Sequence, residues 1–157
     1  MVAKKTIIFV CTGNVCRSPM AAGLLYEKLM REDTADQVRV RSAGIWALEG
    51  RPASAYALQV MREHNLDITA HRGRNLTQAD VDDADLILVM TRRHADIIVR
   101  DLERTEGKVH LLGEMADSAH DILDPYGGSL ADYRRTAREL NDLIERGYLR
   151  IIGMLGL

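Results

Sequence analysis

Residues 11–18 read Cys-Thr-Gly-Asn-Val-Cys-Arg-Ser, set between the apolar run Ile7-Ile8-Phe9-Val10 and Pro19. A β-branched and aromatic stretch from Thr6 to Val10 predicts a buried strand. Ser18 as N-cap and Pro19 in the first turn predict a helix directly after the loop. A thiol and a guanidinium, with five residues between them, therefore sit where a strand turns into a helix. That spacing lets the backbone curl around a tetrahedral oxyanion, its N–H groups turned inward. Cys11 would lie beneath the phosphorus, with Arg17 gripping two outer oxygens.

The rest of the chain repeats the same alternation. Ala21, Leu25 and Leu29 stripe a helix running to Met30, and Val38–Ser42 alternates as a second strand ending at Ala43-Gly44. A helix over Ala53–His64 is expected to turn Tyr56, Val60 and Met61 to the core. Leu86–Met90 reads as a central strand, Arg92–Asp101 as a helix and Val109–Leu112 as a short strand. Leu130, Tyr133, Ala137, Leu140 and Ile144 stripe a final helix. Short apolar strands separated by helices predict one α/β domain over residues 1–157. It is a three-layer fold, with a four-stranded parallel sheet of order 2-1-3-4 and helices on both faces. Ligands of such sheets bind beyond the carboxyl ends of the strands, where the Cys11 loop lies. The apolar stretch Tyr148–Leu157 covers either its own domain or a second copy, so a monomer or weak homo-oligomer is expected.

Composition narrows the function. Hydrophobic content of 46%, charged content of 28% and a net charge of −2 are ordinary for a soluble globular protein and provide no basic blanket for nucleic acid. The basic start Met1-Val2-Ala3-Lys4-Lys5 runs directly into the first strand, so no signal peptide is expected, and no segment reaches the ~20 apolar residues of a membrane span. Both cysteines lie in the loop, which argues against a disulfide-stapled secreted fold and for a reducing cytoplasm.

Three features are expected to favour the thiolate of Cys11, whose free pKa is about 8.5. Successive loop N–H groups (Thr12, Gly13, Asn14, Val15, Cys16) form an anion nest. The helix beginning at Ser18 adds the positive end of its dipole, and Arg17 adds a permanent charge. The Ser18 hydroxyl can donate to sulfur. Gly13 removes bulk at the bend, and Asn14 tolerates unusual dihedrals. A nucleotide-binding loop would end in Lys-Ser or Lys-Thr, which is missing here. Two cysteines without a partner pair do not make a structural zinc site, and neither metal nor cofactor is expected.

Attack by sulfur expels a leaving group that needs a proton. The best donor lies in Asp121-Ile122-Leu123-Asp124-Pro125-Tyr126-Gly127-Gly128. Pro125 and the Gly-Gly turn hold Asp124 in a defined direction, and its carboxylate can later activate water. Asp121 is the competing choice.

These two motifs resemble those of the low-molecular-weight protein tyrosine phosphatases over essentially the whole chain. Cys11 to Pro19 is similar to that family's phosphate loop and Asp124-Pro125-Tyr126 to its acid loop. The resemblance implies a two-step hydrolysis through phosphocysteine, with Cys11 as nucleophile, Arg17 as clamp and Asp124 as acid, then base. It implies that Asn14, helped by Ser42 and His71, holds the loop, and that Ser18 supports the thiolate. It also implies that Cys16 can trap Cys11 as a reversible disulfide. Tyr126 resembles one aromatic wall of the family's entrance, and Trp46, in the loop after Ser42-Ala43-Gly44, the other. The slot would suit aryl phosphates, so phosphotyrosine in proteins is the expected substrate. His64, His94, His110 and His120 show no ligand spacing and read as solvated or locally packed.

The Asp124–Ser129 stretch and the Cys-Thr-Gly-Asn opening also look like the bacterial protein arginine phosphatases. In those, a threonine at the position of Val15 helps receive the guanidinium; Val15 lacks a hydroxyl. Arsenate reduction on this scaffold needs further cysteines, and none follows Cys16. A non-catalytic phosphate-binding module would more naturally lack Cys11 or Asp124.

Overall fold

The computed structural model describes residues 3–157. Strand β1 (Lys5–Cys11) lies at the middle of a four-stranded parallel sheet with β2 (Val38–Gly44), β3 (Leu86–Val89) and β4 (Val109–Leu111), in the order β2-β1-β3-β4. The expected class and strand order both hold. Helices α1 (Arg17–Arg31), α2 (Ala55–Glu63), α3 (Gln78–Asp83), α4 (Arg92–Asp101) and α5 (Leu130–Met154) connect and cover the strands.

The period-two alternation of a strand explains why β1 is apolar throughout. Ile7 and Phe9 face one layer with Leu25 of α1, Val60 of α2 and Ile144 of α5. Ile8 and Val10 face the other, against Val81 of α3 and Ile98 of α4. All four β1 residues are fully buried. A core on each face fixes the register, which pairs Cys11 with Gly44 at the carboxyl edge.

Several expectations need correction. Helix α1 begins at Arg17 with Cys16 as N-cap, so Ser18 lies inside the first turn. Its hydroxyl is thereby freed from capping for contacts within the loop. Helix α2 starts at Ala55 after Ser54, and Tyr56 is 41% exposed, though its ring meets Tyr133 edge-on at 5.5 Å. Helix α3 was not anticipated, because its short polar sequence carries little periodicity; Thr77 and Asp80 form a capping box that starts it. Strand β3 ends at Val89 and β4 at Leu111, each a residue short of expectation. Helix α5 runs past Ile144 to Met154, and Tyr148, Ile151 and Leu155 pack into the core. One face of the apolar tail thus covers its own domain, while Leu149, Met154 and Leu157 stay exposed. No helix among the described residues is long and apolar enough to cross a membrane.

Candidate active site

The loop after β1 is shaped by where its carbonyls go. Those of Cys11, Thr12 and Gly13 accept from the N–H groups of Ile45, Trp46 and Leu48 in the chain leaving β2. The Val15 carbonyl accepts from Ser54 N–H, that of Cys16 from Met20 N–H, and that of Asn14 from His71 Nε2 at 2.6 Å. In a trans peptide the C=O of one residue and the N–H of the next point in opposite directions. Pulling these carbonyls outward therefore turns the N–H groups from Thr12 to Arg17 inward. None of those N–H groups has a protein acceptor among the described residues. This ring of donors is an oxyanion nest. A Cβ at Gly44 would stand 2.5 Å from the Thr12 carbonyl oxygen, so only glycine lets the end of β2 approach the loop this closely.

Asn14 holds the bend. It sits at φ 58°, in the left-handed region that asparagine tolerates better than most residues. Its Nδ2 donates to Ser18 Oγ at 2.8 Å and Ser42 Oγ at 3.0 Å, while its Oδ1 accepts from Arg74 N–H at 2.9 Å. Burial pushes the His71 imidazole below its ordinary pKa, and the ring donates to the Asn14 carbonyl.

Cys11 Sγ lies 2.9 Å from Ser18 Oγ. Ser18 accepts from Asn14, and its own proton has two acceptors within reach, the sulfur at 2.9 Å and the Ala43 carbonyl at 3.5 Å, of which the sulfur is the nearer. Arg17 is 3% exposed; its Nη1 donates to the Ile122 carbonyl at 2.7 Å, and its Nη2 stands 3.4 Å from Asp124 Oδ2. Arg17 Nε is buried without a partner among the described residues. An orphaned guanidinium donor beside an oxyanion nest wants a two-pronged anionic acceptor.

These groups share a cavity of about 210 Å³ lined by Cys11, Thr12, Gly13, Val15, Cys16, Arg17, Trp46, Leu48, Asp124 and Tyr126. Trp46 and Tyr126 are each 60% exposed and stand at its mouth. Asp124 Oδ1 accepts from Tyr126 N–H at 3.0 Å, a local turn that aims the carboxylate inward. Asp121 does not line the cavity; its Oδ1 accepts from Arg92 N–H at 2.8 Å. Cys16 is buried against Tyr133 OH at 3.2 Å and Ser54 Oγ at 3.4 Å, and burial pushes its thiol above the ordinary value.

A nucleophile-bearing oxyanion nest at the carboxyl edge of a parallel sheet, with an arginine and an acid facing it, defines a cysteine-dependent phosphatase. The family profile described as low molecular weight phosphotyrosine protein phosphatase matches residues 6–150. The chain is 41% identical over 141 residues to a protein-arginine-phosphatase of Geobacillus stearothermophilus, covering 89% of this chain and 91% of that one. It is 43% identical over 143 residues to a probable low molecular weight protein-tyrosine-phosphatase EpsP of Ralstonia nicotianae, covering 91% and 90%. The solved low molecular weight protein tyrosine phosphatase from T. tengcongensis superposes with a TM-score of 0.88 at 36% identity, covering 94% and 99%. The chain belongs to the low molecular weight phosphotyrosine protein phosphatase family and to its bacterial branch.

Sequence reasoning missed His94. Instead of being solvated or packed only locally, it is 4% exposed and its Nε2 lies 2.8 Å from Thr12 Oγ1. Burial first, then the charge of Arg17, pushes its pKa down to about 4. A pKa below the unfolded value of about 6.5 means the unfolded chain binds the extra proton first. The corresponding stability is fully present above pH 6.5 and is lost as pH falls toward 4. About 2 kcal/mol should be lost by pH 5, and a His94→Gln protein should lose that much less over the same range in urea titrations. Parallel acid profiles for the two proteins would refute this.

Proposed function

We propose that Cys11 attacks the phosphorus of a phosphorylated protein side chain, forming a P–S bond as the bond to the leaving atom breaks. Asp124 gives its proton to that leaving atom. A water then attacks phosphocysteine, loses its proton to Asp124 and releases inorganic phosphate and the Cys11 thiolate. Arg17 and the inward N–H groups of Thr12 to Cys16 hold the equatorial oxygens, where charge gathers in the transition state. Ser18 supports the sulfur, while Asn14, Ser42 and His71 keep the nest in shape. The observation that carries this reading is the orphaned Arg17 Nε beside the nest that faces Cys11.

The leaving group is read as the phenolate of phosphotyrosine. Support comes from the slot above the nest, where Val15, Leu48, Trp46 and Tyr126 offer apolar and aromatic surface. A phenyl ring needs no polar partner along its sides, whereas a guanidino group loses hydration at each N–H and Val15 provides no acceptor. The second reading is phosphoarginine, which whole-chain likeness backs better than phosphotyrosine: the G. stearothermophilus relative carries that activity in its name. Peptides bearing each phosphoresidue decide between them. The unaltered protein is expected to favour phosphotyrosine about tenfold in kcat/KM, and Val15→Thr to move the ratio toward phosphoarginine. Preference for phosphoarginine by the unaltered protein would reverse the assignment.

A further inference from the structure

The loop residue Thr12 has a side chain that the steps above leave without a task. Its Oγ1 lies 2.8 Å from His94 Nε2 and accepts from Arg17 Nη2 at 3.4 Å. The direction of the first bond follows from the other side of the ring. Thr91 N–H lies 3.2 Å from His94 Nδ1, and an amide N–H can only donate. Nδ1 is therefore the acceptor, the proton sits on Nε2, and His94 donates to Thr12. The low pKa agrees, since a ring at about 4 is neutral at pH 7. The charged groups facing it are Arg17, Arg93, Asp121 and Asp124.

Thr91 and His94 form the capping box that opens α4, so the ring orientation is set by the helix start itself. A hydroxyl has two lone pairs and one proton. With His94 and Arg17 filling both acceptor sites of Thr12 Oγ1, its proton is left to donate into the cavity that Thr12 lines with Cys11 and Asp124.

We propose that His94 is a positioning residue that holds the Thr12 hydroxyl as a side-chain donor to the phosphoryl group in the nest. The inference rests on the phosphocysteine reading above and adds a donor to it. Without His94, Thr12 is free to rotate and to present a lone pair to an oxyanion, which repels it.

Two substitutions of His94 separate positioning from capping. In His94→Asn the short amide can still accept from Thr91 N–H at the helix start but cannot extend to Thr12. In His94→Gln the longer amide can carry an N–H to the place of Nε2. Thr12→Val and His94→Asn are each expected to lower kcat on p-nitrophenyl phosphate about tenfold with KM changed less, and His94→Gln to recover most of the loss. The Thr12→Val, His94→Asn double variant should be no slower than Thr12→Val alone. Calorimetric affinity for orthovanadate should show the same pattern without turnover. Absence of Cys11-dependent turnover in the unaltered protein would remove the phosphatase reading, while vanadate affinity would still test the His94–Thr12 coupling. Additive losses in the double variant, or an unimpaired His94→Asn protein, would overturn the inference.

Discussion

Replacing Cys11 with serine is expected to lower kcat by about 10⁴-fold or more while the nest still binds oxyanions. The nest is made of backbone N–H groups turned inward by bonds to Ile45, Trp46 and Leu48, and none of these involves the sulfur. Binding should therefore survive. Chemistry should not, because a serine hydroxyl keeps its proton where a thiol can lose it, and no general base adjoins position 11 among the described residues. Ser18 offers a donor there, and Asp124 lies across the cavity against Arg17. Steady-state turnover of p-nitrophenyl phosphate, with calorimetric titration of inorganic phosphate, measures both halves. A Cys11→Ser protein within tenfold of the parent rate would remove sulfur from the mechanism.

Asp124→Asn is expected to cost about 10²- to 10³-fold in kcat on a phosphotyrosine peptide. The effect should shrink on p-nitrophenyl phosphate, whose phenolate is a weaker base and leaves without much help. That dependence on the leaving group is the signature of a lost proton donor. Asp124 Oδ2, 3.4 Å from Nη2, would also compete with a phosphate for Arg17 in the proposed mechanism. Neutralising it should tighten inorganic phosphate binding, so kcat falls without a rise in KM. Equal losses on both substrates would instead mark Asp124 as structural. Asp121→Asn serves as the control: its carboxylate is engaged by Arg92 N–H away from the cavity, so the leaving-group pattern should not change.

Much of this site was legible in the chain because its central pieces are local. Strand, loop and helix follow one another from Lys5 to Arg31, and the sulfur and guanidinium are brought together by one turn of backbone. Asp124 and Tyr126 are likewise linked by a two-residue turn. The strands were legible for a related reason. Burial on both faces leaves runs such as Leu86–Val89 without polar interruption, which few other environments select. Helix α3 and the exposure of Tyr56 were not legible, since a short polar helix and a residue at a helix edge leave no periodic trace.

His94 shows the limit most clearly. Its neighbours in sequence mark only a helix cap, yet its ring reaches Thr12, 82 positions earlier. His71 reaches Asn14 across 57 positions, and Tyr133 reaches Cys16 across 117. Composition and order along the chain determined that this protein has a parallel sheet, a cysteine- and arginine-bearing loop after its first strand, and an acid on the same rim. Only folding decided which way each loop peptide faces, which histidine tautomer meets Thr12 and what surrounds the second thiol. The reason is that a peptide or hydroxyl takes its direction from the partner on its far side, and in this fold those partners arrive from β2, α4 and α5.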